Sequence, residues 1–372
     1  MLQRIYINNF RCLVNFEMTV DSINLILGSN GAGKSTIFEV LRKIQSFVSG
    51  DSKVGEIFKP TDCTRWQIAS TQQFELEISG NNGIYKYELG IGHNQDKCRV
   101  EYERLWFDEQ PLLKFEMGDV QLYRDNHSEG PLYPFDWSQS ILPNLMPRND
   151  NTKLTWFKKR IERFIIIQII PALMVDESDH ETIRLTSNTE NYVSWYRYLS
   201  EDQGKVTELN NILKEVLDGF MYFKFDRVSE QNLVLKLRFT DTSDLATPTE
   251  YRFKELSDGQ KTLIVLYTLL YGLKSEDYTL CIDEPENFLA LPEIQPWLTQ
   301  LYDLCSSNKL QALLISHHPE LINYLLASPI GYWFERKSNS PVRVKRISDQ
   351  IAEDSGLPIS ELIARGWLYG TA

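Results

Sequence analysis

A stretch near the start of the chain has the pattern of a loop that binds phosphate. Gly28 to Thr36 contains G-x-x-x-x-G-K-[ST]. The apolar run Ile23 to Leu27 predicts a buried strand before the loop, and the spacing of apolar residues from Thr36 to Val48 predicts a helix after it. In such a setting, backbone N–H groups and the positive end of the helix converge on phosphate oxygens. The stretch therefore predicts a site for a nucleoside triphosphate.

Individual residues of this loop have distinct expected roles. Lys34 is expected to reach the β- and γ-phosphates, and Ser35 is expected to ligate Mg²⁺. The other residues expected to bind the nucleotide are Asn30, Gly31, Gly33 and Thr36. ATP and Mg²⁺ are therefore the predicted cofactors.

A second group of candidates follows two further apolar runs. Tyr278 to Ile282 predicts a buried strand, and Asp283 comes directly after it, where its carboxylate can hold Mg²⁺. Glu284 is next in sequence and can orient or deprotonate the water that attacks the γ-phosphate. Leu310 to Ile315 predicts another strand, which ends just before His317. Since ligand groups in open α/β sheets gather outside the carboxyl ends of strands, we expect these side chains near the phosphate loop.

A polar turn precedes the apolar helix that is predicted over Thr262 to Leu273. Ser257 in this turn is a sound N-cap, which by itself needs no further function. A serine and a glycine at a helix N-terminus, here Ser257 and Gly259, also suit a γ-phosphate. The residues alone leave both interpretations open.

Taken together, these motifs resemble those of an ABC-type ATPase head. The motifs are Gly28 to Thr36, Leu256 to Gln260, Cys281 to Glu286 and Ile315 to His317. The opening Ile7 to Arg11 and the phrases Asp-Glu-Pro-Glu-Asn and His-His-Pro-Glu-Leu resemble the RecF, SMC and OLD-nuclease branch. The resemblance covers residues 1–48 and 250–325 well and the middle of the chain only loosely.

The resemblance implies that two heads pair head to tail, so that each nucleotide lies between the phosphate loop of one copy and the signature turn of the other. Ser257 and Gly259 would then contact the γ-phosphate of ATP bound to the other copy. Glu284 would be the catalytic carboxylate. His317, which fits the family spacing His-x-Pro-Glu better than His318, would be the switch histidine. The implied assembly is a homodimer, open to forming a higher oligomer.

Two further residues follow from the resemblance. The family places a Mg²⁺-binding glutamine where the sheet gives way to helix, and Gln139 lies there, with Gln72 and Gln73 as competitors. Asp258 departs from the family, because many relatives have glycine at this position. Its negative charge close to a triphosphate would either weaken engagement between copies or indicate that a lysine or arginine of a partner protein completes the site.

The order of elements indicates an α/β protein. The expected fold is a P-loop NTPase of ABC-ATPase type with a mixed central sheet, an added antiparallel β-subdomain and a helical subdomain. We expect a single head over residues 1–372, with a nucleotide-binding lobe and the β-subdomain in 1–136, a helical insertion in 137–225, a second lobe with the signature turn, Asp283 and His317 in 226–350, and a helical tail in 351–372. The chain shows neither a sustained heptad pattern nor a nuclease signature.

Other predicted elements are more local. The antiparallel strands are predicted between Gln73 and Tyr123, with a hairpin at Gly80 to Gly83. The remaining predictions are an edge strand at Leu2 to Arg11, a proline-rich loop at Pro131 to Pro147, helices at Thr152 to Ile170, at Asn191 to Phe220 with a break at Gly204, and at Pro296 to Cys305, a strand at Val228 to Thr240, and a polar loop at Asp241 to Glu250.

Composition limits the function classes. With 42% hydrophobic and 12% aromatic residues, the chain is typical of a folded globular protein. The formal net charge of −12 argues against a surface that is basic throughout, so nucleic acid would have to meet local patches such as Lys158 to Arg163 or Arg343 to Arg346. The five cysteines lack C-x-x-C pairing, which indicates free thiols in a reducing compartment.

The chain shows no pattern for secretion or membrane insertion. The N-terminus lacks a charged segment followed by an apolar one. The longest apolar run, Phe164 to Val175, is shorter than the roughly 20 residues that span a bilayer. We therefore expect a cytoplasmic protein without membrane association.

From the motifs and the resemblance we expect a Mg²⁺-dependent ATPase that acts as a slow switch. Family resemblance suggests that it controls a separately encoded effector, a nuclease or toxin, in bacterial defence against phage. The alternatives are a DNA-repair ATPase of RecF type and a non-catalytic, nucleotide-gated scaffold, and nucleic acid is a further candidate partner. The β-rich residues 73–123 and the Asn-Phe-Arg opening disfavour the ATPase subunit of a transporter.

Overall fold

The computed structural model describes residues 1–94, 97–240, 248–273, 277–318, 330–347 and 359–365, together with Leu321 and Leu357. The chain forms two compact units. The first unit comprises Met1–Phe164 and Pro329–Ile351, and the second unit comprises Ile165–Ser328 and Ala352–Ala372.

The strands of the described residues are, in chain order, β1 (Leu2–Asn8), β2 (Phe16–Thr19), β3 (Ile23–Gly28), β4 (Thr71–Gly80), β5 (Gly83–Asn94), β6 (Lys97–Phe107), β7 (Gln110–Glu116), β8 (Asp119–Tyr123), β9 (Glu129–Pro134), β10 (Phe164–Gln168), β11 (Glu177–Ser178), β12 (Phe220–Arg227), β13 (Leu233–Phe239), β14 (Thr249–Arg252), β15 (Tyr278–Asp283), β16 (Leu310–Ile315), β17 (Ile330–Glu335) and β18 (Arg343–Ile347). The α-helices are α1 (Lys34–Ser49), α2 (Val54–Ile57), α3 (Thr152–Glu162), α4 (Tyr192–Leu199), α5 (Gln203–Val216), α6 (Asp258–Leu273), α7 (Leu291–Ser306) and α8 (Ile359–Ala364).

The first unit contains an eight-stranded antiparallel sheet in the order β2-β1-β4-β5-β6-β7-β8-β9. The antiparallel strands predicted between Gln73 and Tyr123 are therefore confirmed. The predicted hairpin joins β4 to β5 through Asn81 and Asn82, which have φ angles of 51° and 64°. Two consecutive positive φ angles are the geometry of a type I′ turn, whose twist matches that of the flanking strands.

Two predictions about this sheet are wrong. β1 is not an edge strand, because Ile5 pairs with Met18 of β2 on one side and with Leu76 of β4 on the other. Its alternating pattern records one buried face and carries no information about neighbouring strands. The predicted proline-rich loop begins instead with strand β9, which contains Pro131 and Pro134. Proline is tolerated there because β9 is the last strand of the sheet.

The first unit also holds the strand that leads to the phosphate loop. All six residues of β3 are buried, and β3 runs parallel to β17, with Gly28 opposite Phe334. β17 pairs in turn with β18 in antiparallel fashion. The predicted sequence of strand, loop and helix over β3 and α1 is confirmed.

The second unit is built around two parallel strands. β15 and β16 pair in parallel over their full length, with Asp283 opposite Ile315 at their carboxyl ends. β10 lies on the other side of β15. A separate antiparallel sheet has the order β11-β13-β12, and β14 pairs with β13. The predicted strands before Asp283 and His317 are thus confirmed.

Several predicted boundaries in this region are wrong. The predicted helix over residues 152–170 ends at Glu162, because the run Phe164-Ile165-Ile166-Ile167 forms the buried strand β10. β-branched residues favour a strand, whereas the periodicity of a short apolar run does not separate the two states. The segment predicted to be helical over 137–225 accordingly holds α3, α4 and α5 but also β10, β11 and most of β12.

Other boundaries shift by a few residues. The predicted break at Gly204 occurs at Asp202, whose side chain accepts hydrogen bonds from the backbone N–H groups of Gly204 and Lys205 and so begins α5. The predicted strand over 228–240 begins at Leu233. Helix α7 begins at Leu291, so that Pro296 lies inside it. Of the predicted polar loop, residues 241–247 lie outside the described residues.

The longest described helices, α1, α6 and α7, have 16 residues each. Among the helices of the described part of the chain, none combines the length and the apolar composition that crossing a bilayer requires. All five cysteines lie among the described residues and none of them forms a disulfide bond there, as predicted.

Candidate functional site

The phosphate loop requires glycines for two reasons, the left-handed backbone conformation at three positions and the close packing of other atoms at two of them. Gly28, Gly31 and Gly33 all have positive φ angles, of 142°, 77° and 94°. A Cβ on Gly28 would lie 2.3 Å from the carbonyl oxygen of Phe334, and one on Gly33 would lie 2.7 Å from Sγ of Cys12. A Cβ on Gly31 would meet no atom within 4 Å. The loop is therefore packed from behind at Gly28 and Gly33 and open at Gly31.

The side chain of Lys34 lies inside the phosphate loop and is hydrogen-bonded to its backbone. It is the first residue of α1, is 5% exposed, and donates from Nζ to the carbonyl oxygens of Gly28 (2.7 Å) and Ser29 (3.0 Å). Its charge is therefore held inside the loop by backbone dipoles.

The start of α1 is suited to an anion. The N-cap residue is Gly33, which supplies no side-chain cap, and the first turn contains no acidic residue. The first N–H groups of a helix lack intrahelical acceptors and carry a partial positive charge. Asn30, Gly31 and Ser35 are exposed and Thr36 is half-buried, so a ligand can reach this end of the helix.

The N-terminal turn supports the loop from behind. Cys12 accepts a hydrogen bond from Val342 N through its carbonyl oxygen (3.0 Å), and the side chains of both residues pack against Gly33. The preceding residue, Arg11, pairs with Glu39 of α1 at 2.6 Å. The Asn-Phe-Arg opening is thereby tied to the loop and to its helix.

In the second unit, the carboxyl ends of β15 and β16 bring candidate catalytic groups together. Glu284 has a φ angle of 53° and donates from its backbone N–H to Ile315 O at 2.9 Å. Its Oε1 lies 3.4 Å from Nε2 of His317, and its Oε2 accepts a hydrogen bond from Nδ2 of Asn287 at 2.7 Å. The structure thus places the predicted base beside the predicted switch histidine.

Glu286 also belongs to this cluster, although no role is predicted for it from the sequence. Its Oε1 accepts hydrogen bonds from Oγ of Ser316 (2.5 Å) and from the backbone N–H of His317 (3.4 Å). Burial raises the pKa of Glu286 above its ordinary value, and the hydrogen bond from Ser316 lowers it in part. The available signal was the motif Asp-Glu-Pro-Glu-Asn, which carries Glu286 and Asn287 in the turn that follows Glu284.

The signature turn is a capping box at the start of α6. Ser257 Oγ accepts a hydrogen bond from Gln260 N at 3.2 Å, and Gln260 Oε1 accepts one from Ser257 N at 3.1 Å. A Cβ on Gly259 would lie 2.9 Å from the carbonyl oxygen of Phe288, in the turn that follows β15. The N-cap interpretation of Ser257 is confirmed, and the turn packs against the loop that carries Glu284.

The charge of Asp258 has a counterpart in the same chain. Lys261, one helical turn further on, places its Nζ 3.9 Å from Oδ1 of Asp258. The lysine side chain is 9% exposed and the aspartate side chain 48% exposed. Asp258 thus has a lysine of its own chain nearby, and a cation of a partner protein that completes the site stays a prediction.

Gln139 lies in a turn of the first unit that is fastened on both sides. Ser138 O accepts a hydrogen bond from Val54 N (2.8 Å), and Ser140 Oγ donates to Glu103 (2.6 Å). The competing residues are engaged in the antiparallel sheet, Gln72 with His93 at 3.0 Å and Gln73 with Asn8 at 3.1 Å. These contacts do not decide among the three glutamines, and the role of Gln139 in binding Mg²⁺ stays a prediction.

The two basic patches differ in accessibility. Arg160 is 1% exposed, with its guanidinium carbon 5.1 Å from the centre of the Phe164 ring, and Lys158 donates to Pro143 O at 3.1 Å. In the first patch, Arg160 is thus buried and Lys158 is hydrogen-bonded within the first unit. The second, at Arg343, Lys345 and Arg346, is exposed on β18, where cations also discourage pairing with another strand.

One protein-family model matches most of this chain. A family model described as "AAA domain, putative AbiEii toxin, Type IV TA system" matches residues 23–323. A search of curated proteins found no match.

Two similar solved structures are SMC head domains. One is the crystal structure of the SmcHead bound to the C-winged helix domain of ScpA, with a TM-score of 0.56 and 11% identity, covering 94% of this chain and 99% of that chain. The other is the SMC head domain from Thermotoga maritima, with a TM-score of 0.50 and 12% identity, covering 93% and 99%. At these identities the likeness establishes the fold, and the predicted α/β P-loop fold of SMC-type heads is confirmed.

Proposed function

This chain belongs to the AAA-domain family that matches it over residues 23–323, and on that premise we propose that it hydrolyses ATP with Mg²⁺ and works as a molecular switch. The observation that carries the proposal is the position of Lys34. Its ammonium group lies within a loop of positive-φ glycines at an uncapped helix start. A triphosphate supplies the acceptors that such a site is built to meet.

The residues present fit a nucleotide with its metal. Mg²⁺ prefers oxygen ligands, and the exposed hydroxyl of Ser35 and the half-buried carboxylate of Asp283 offer them. We assign both residues to Mg²⁺, with Gln139 as a further ligand. When bound, Mg²⁺ neutralises charge that develops on the β- and γ-phosphate oxygens. Asn30, Gly31, Gly33 and Thr36 complete the phosphate contacts in this proposal.

Hydrolysis is assigned to the cluster at the ends of β15 and β16. Glu284 accepts a proton from the attacking water, and the hydrogen bond from Asn287 holds its carboxylate in one orientation. His317, 3.4 Å from Glu284, donates a hydrogen bond to the γ-phosphate as charge develops there. A general base in this position contributes about 10²- to 10⁴-fold in rate.

The proposal also includes ATP-dependent dimerisation and a separate effector protein. Ser257 and Gly259 contact the γ-phosphate of ATP bound to a second copy, so that ATP joins two heads head to tail. The SMC head in one similar structure is bound to a domain of ScpA, and the family description refers to a toxin and a toxin–antitoxin system. We infer that this head likewise acts through a separately encoded protein, a nuclease or toxin, in defence against phage.

The test is steady-state phosphate release, measured with ATP binding and molar mass for wild type and two variants. Lys34→Ala is expected to lose ATP binding. Glu284→Gln is expected to bind ATP, to form a stable dimer with it, and to release phosphate about 10²- to 10⁴-fold more slowly. Glu293→Gln, which changes a carboxylate that caps α7, is the matched control.

The outcomes separate the candidate functions. Phosphate release that persists unchanged in Glu284→Gln would reject the assigned mechanism. ATP binding and dimerisation without any release by wild type would identify a nucleotide-gated scaffold instead. Salt-sensitive stimulation of release by double-stranded DNA would favour the repair function of RecF type.

A further inference from the structure

Glu286 forms a link between the two loops that carry the candidate catalytic groups. We infer that Glu286 is a positioning residue, which holds the backbone of Ser316 and His317 so that the imidazole of His317 faces Glu284. This inference rests on the proposed ATPase function for its kinetic consequence. Its structural part, the clamp between the two loops, stands on the contacts alone.

The clamp lies beyond the last pair of the parallel strands. The register of β15 and β16 ends with Asp283 opposite Ile315, and one further backbone hydrogen bond joins Glu284 N to Ile315 O at 2.9 Å. After these residues, β15 and β16 each continue into a separate segment without strand pairing. Glu286 bridges them, because its Oε1 accepts from Ser316 Oγ at 2.5 Å and from His317 N at 3.4 Å.

The same contact organises the turn on the histidine side. Ser316 Oγ, which donates to Glu286, also accepts a hydrogen bond from His318 N at 3.0 Å. The carboxylate of Glu286 thereby accepts a hydrogen bond from the backbone N–H of His317, and the hydroxyl of Ser316 accepts one from the backbone N–H of His318. With its backbone held at both ends, the exposed imidazole has fewer directions in which to point. A group held in the productive direction in advance needs less ordering when the substrate arrives.

The second carboxylate oxygen indicates that this arrangement is not optimised for stability. Oε2 of Glu286 is inaccessible to solvent and has no hydrogen-bond partner among the described residues. An unsatisfied buried oxygen is unfavourable and is typically tolerated where function requires the group. Glu293, the third residue of α7, shows the contrasting case of an exposed glutamate that only caps a helix.

The experiment compares Glu286→Ala, Glu286→Gln and Ser316→Ala with Glu293→Ala as the control. Glu286→Ala and Ser316→Ala are expected to lower kcat by about 10- to 100-fold while the KM for ATP changes little, since the phosphate-binding residues are untouched. Glu286→Gln keeps an acceptor oxygen for Ser316 and His317 and is expected to recover most of the lost kcat. The double variant Glu286→Ala/Ser316→Ala should lose less than the sum of the two single effects, because both single variants remove the same hydrogen bond between Glu286 and Ser316.

A second readout does not depend on hydrolysis. In the nucleotide-free protein with ¹³C-labelled histidine, the His317 signal is identified by its loss in His317→Gln. Glu286→Ala is expected to shift or broaden that signal, and Glu293→Ala is expected to leave it in place. The same measurement on Ser316→Ala keeps the test informative if Glu286→Ala does not fold.

The clamp and the proposed function fail in different ways. An unmoved His317 signal in Glu286→Ala and Ser316→Ala, or an unchanged kcat in both folded variants, would overturn the positioning role. Additive losses in the double variant would overturn it as well. If wild type releases no phosphate but the His317 signal responds, the clamp stands and the ATPase assignment is rejected.

Discussion

Nε2 of His317 lies 3.4 Å from Oε1 of Glu284, although 32 residues separate them in the chain. The two side chains come from the ends of adjacent parallel strands, which explains how they meet. A carboxylate at this distance can hold the imidazole in one orientation, toward the γ-phosphate in the proposed function. The pair is therefore expected to act as a unit in hydrolysis.

His317→Ala tests this pair. We expect kcat for phosphate release to fall by about 10²- to 10³-fold, the typical effect of removing one donor to a developing negative charge. Combining it with Glu284→Gln should cost less than the sum of the two effects, because groups that act as a unit are not additive. His318→Ala is the control, and a larger loss there than in His317→Ala would reverse the assignment.

Gly33 and Gly31 offer a matched pair for the phosphate loop. Both have positive φ angles, so alanine at either position introduces backbone strain of about 1–2 kcal/mol. Only at Gly33 would the new Cβ also collide, with Cys12 Sγ at 2.7 Å and with Val342 Cγ2 at 2.9 Å. Gly33→Ala should therefore lower Tm by several degrees more than Gly31→Ala in differential scanning fluorimetry.

The collision with Cys12 can be relieved in a further variant. Cys12→Ala removes the sulfur atom, but it also removes packing, because Cys12 is buried. It should therefore lower Tm less in Gly33→Ala, where it relieves a collision, than in Gly31→Ala, where it relieves none. Equal Tm values for the two glycine variants, or an equal effect of Cys12→Ala on both, would show that the loop is not packed as described.

Ser257 combines a structural role with a proposed nucleotide contact, and substitution by other capping residues separates them. Asparagine and aspartate cap helices about as well as serine, so Ser257→Asn and Ser257→Asp should keep Tm near that of wild type. Ser257→Ala loses the cap and should destabilise α6 by about 1 kcal/mol. Only Ser257→Asp places a negative charge against a γ-phosphate, so it should abolish ATP-dependent dimerisation and hydrolysis. Full hydrolysis by Ser257→Asp would mean that the turn is a helix cap alone.

Glu103 provides a pH-dependent prediction. Its carboxylate is 1% exposed and accepts hydrogen bonds from Ser140 Oγ (2.6 Å), Tyr87 Oη (2.9 Å) and Ile141 N (3.2 Å). Burial raises its pKa above the ordinary value of 4.5, and these hydrogen bonds offset part of the effect. Because the folded pKa exceeds the unfolded one, this contribution to stability is complete below about pH 4.5 and is lost as pH rises through the folded pKa.

Glu103→Gln removes the titration but keeps an acceptor oxygen. The Tm of wild type minus that of Glu103→Gln should therefore decrease as pH is raised from about 4.5 toward neutrality. Thermal unfolding of both proteins across this pH range measures the difference. A difference that stays constant or increases with pH would contradict the burial of an ionisable group at this site.

Contacts between residues close in the chain were largely predictable from the sequence. The order of β3, phosphate loop and α1, the hairpin at Asn81 and Asn82, and the cap at Ser257 all depend on positions a few residues apart. At that range, turn geometry and the preferences of glycine, asparagine and serine determine the structure with little influence from the rest of the protein.

Contacts between distant segments were decided by the tertiary structure. The interior position of β1, the strand β10 in place of a helix, the packing of Cys12 behind Gly33 and the link from Glu286 to Ser316 each depend on which segments become neighbours. An apolar pattern records that one face is buried but not against what, and a polar residue in a turn gives no sign of its distant acceptor. The sequence by itself therefore determined the phosphate loop and the positions of Glu284 and His317 after their strands, whereas only the pairing of β15 with β16 brought those two residues within contact and gave Glu286 its place between them.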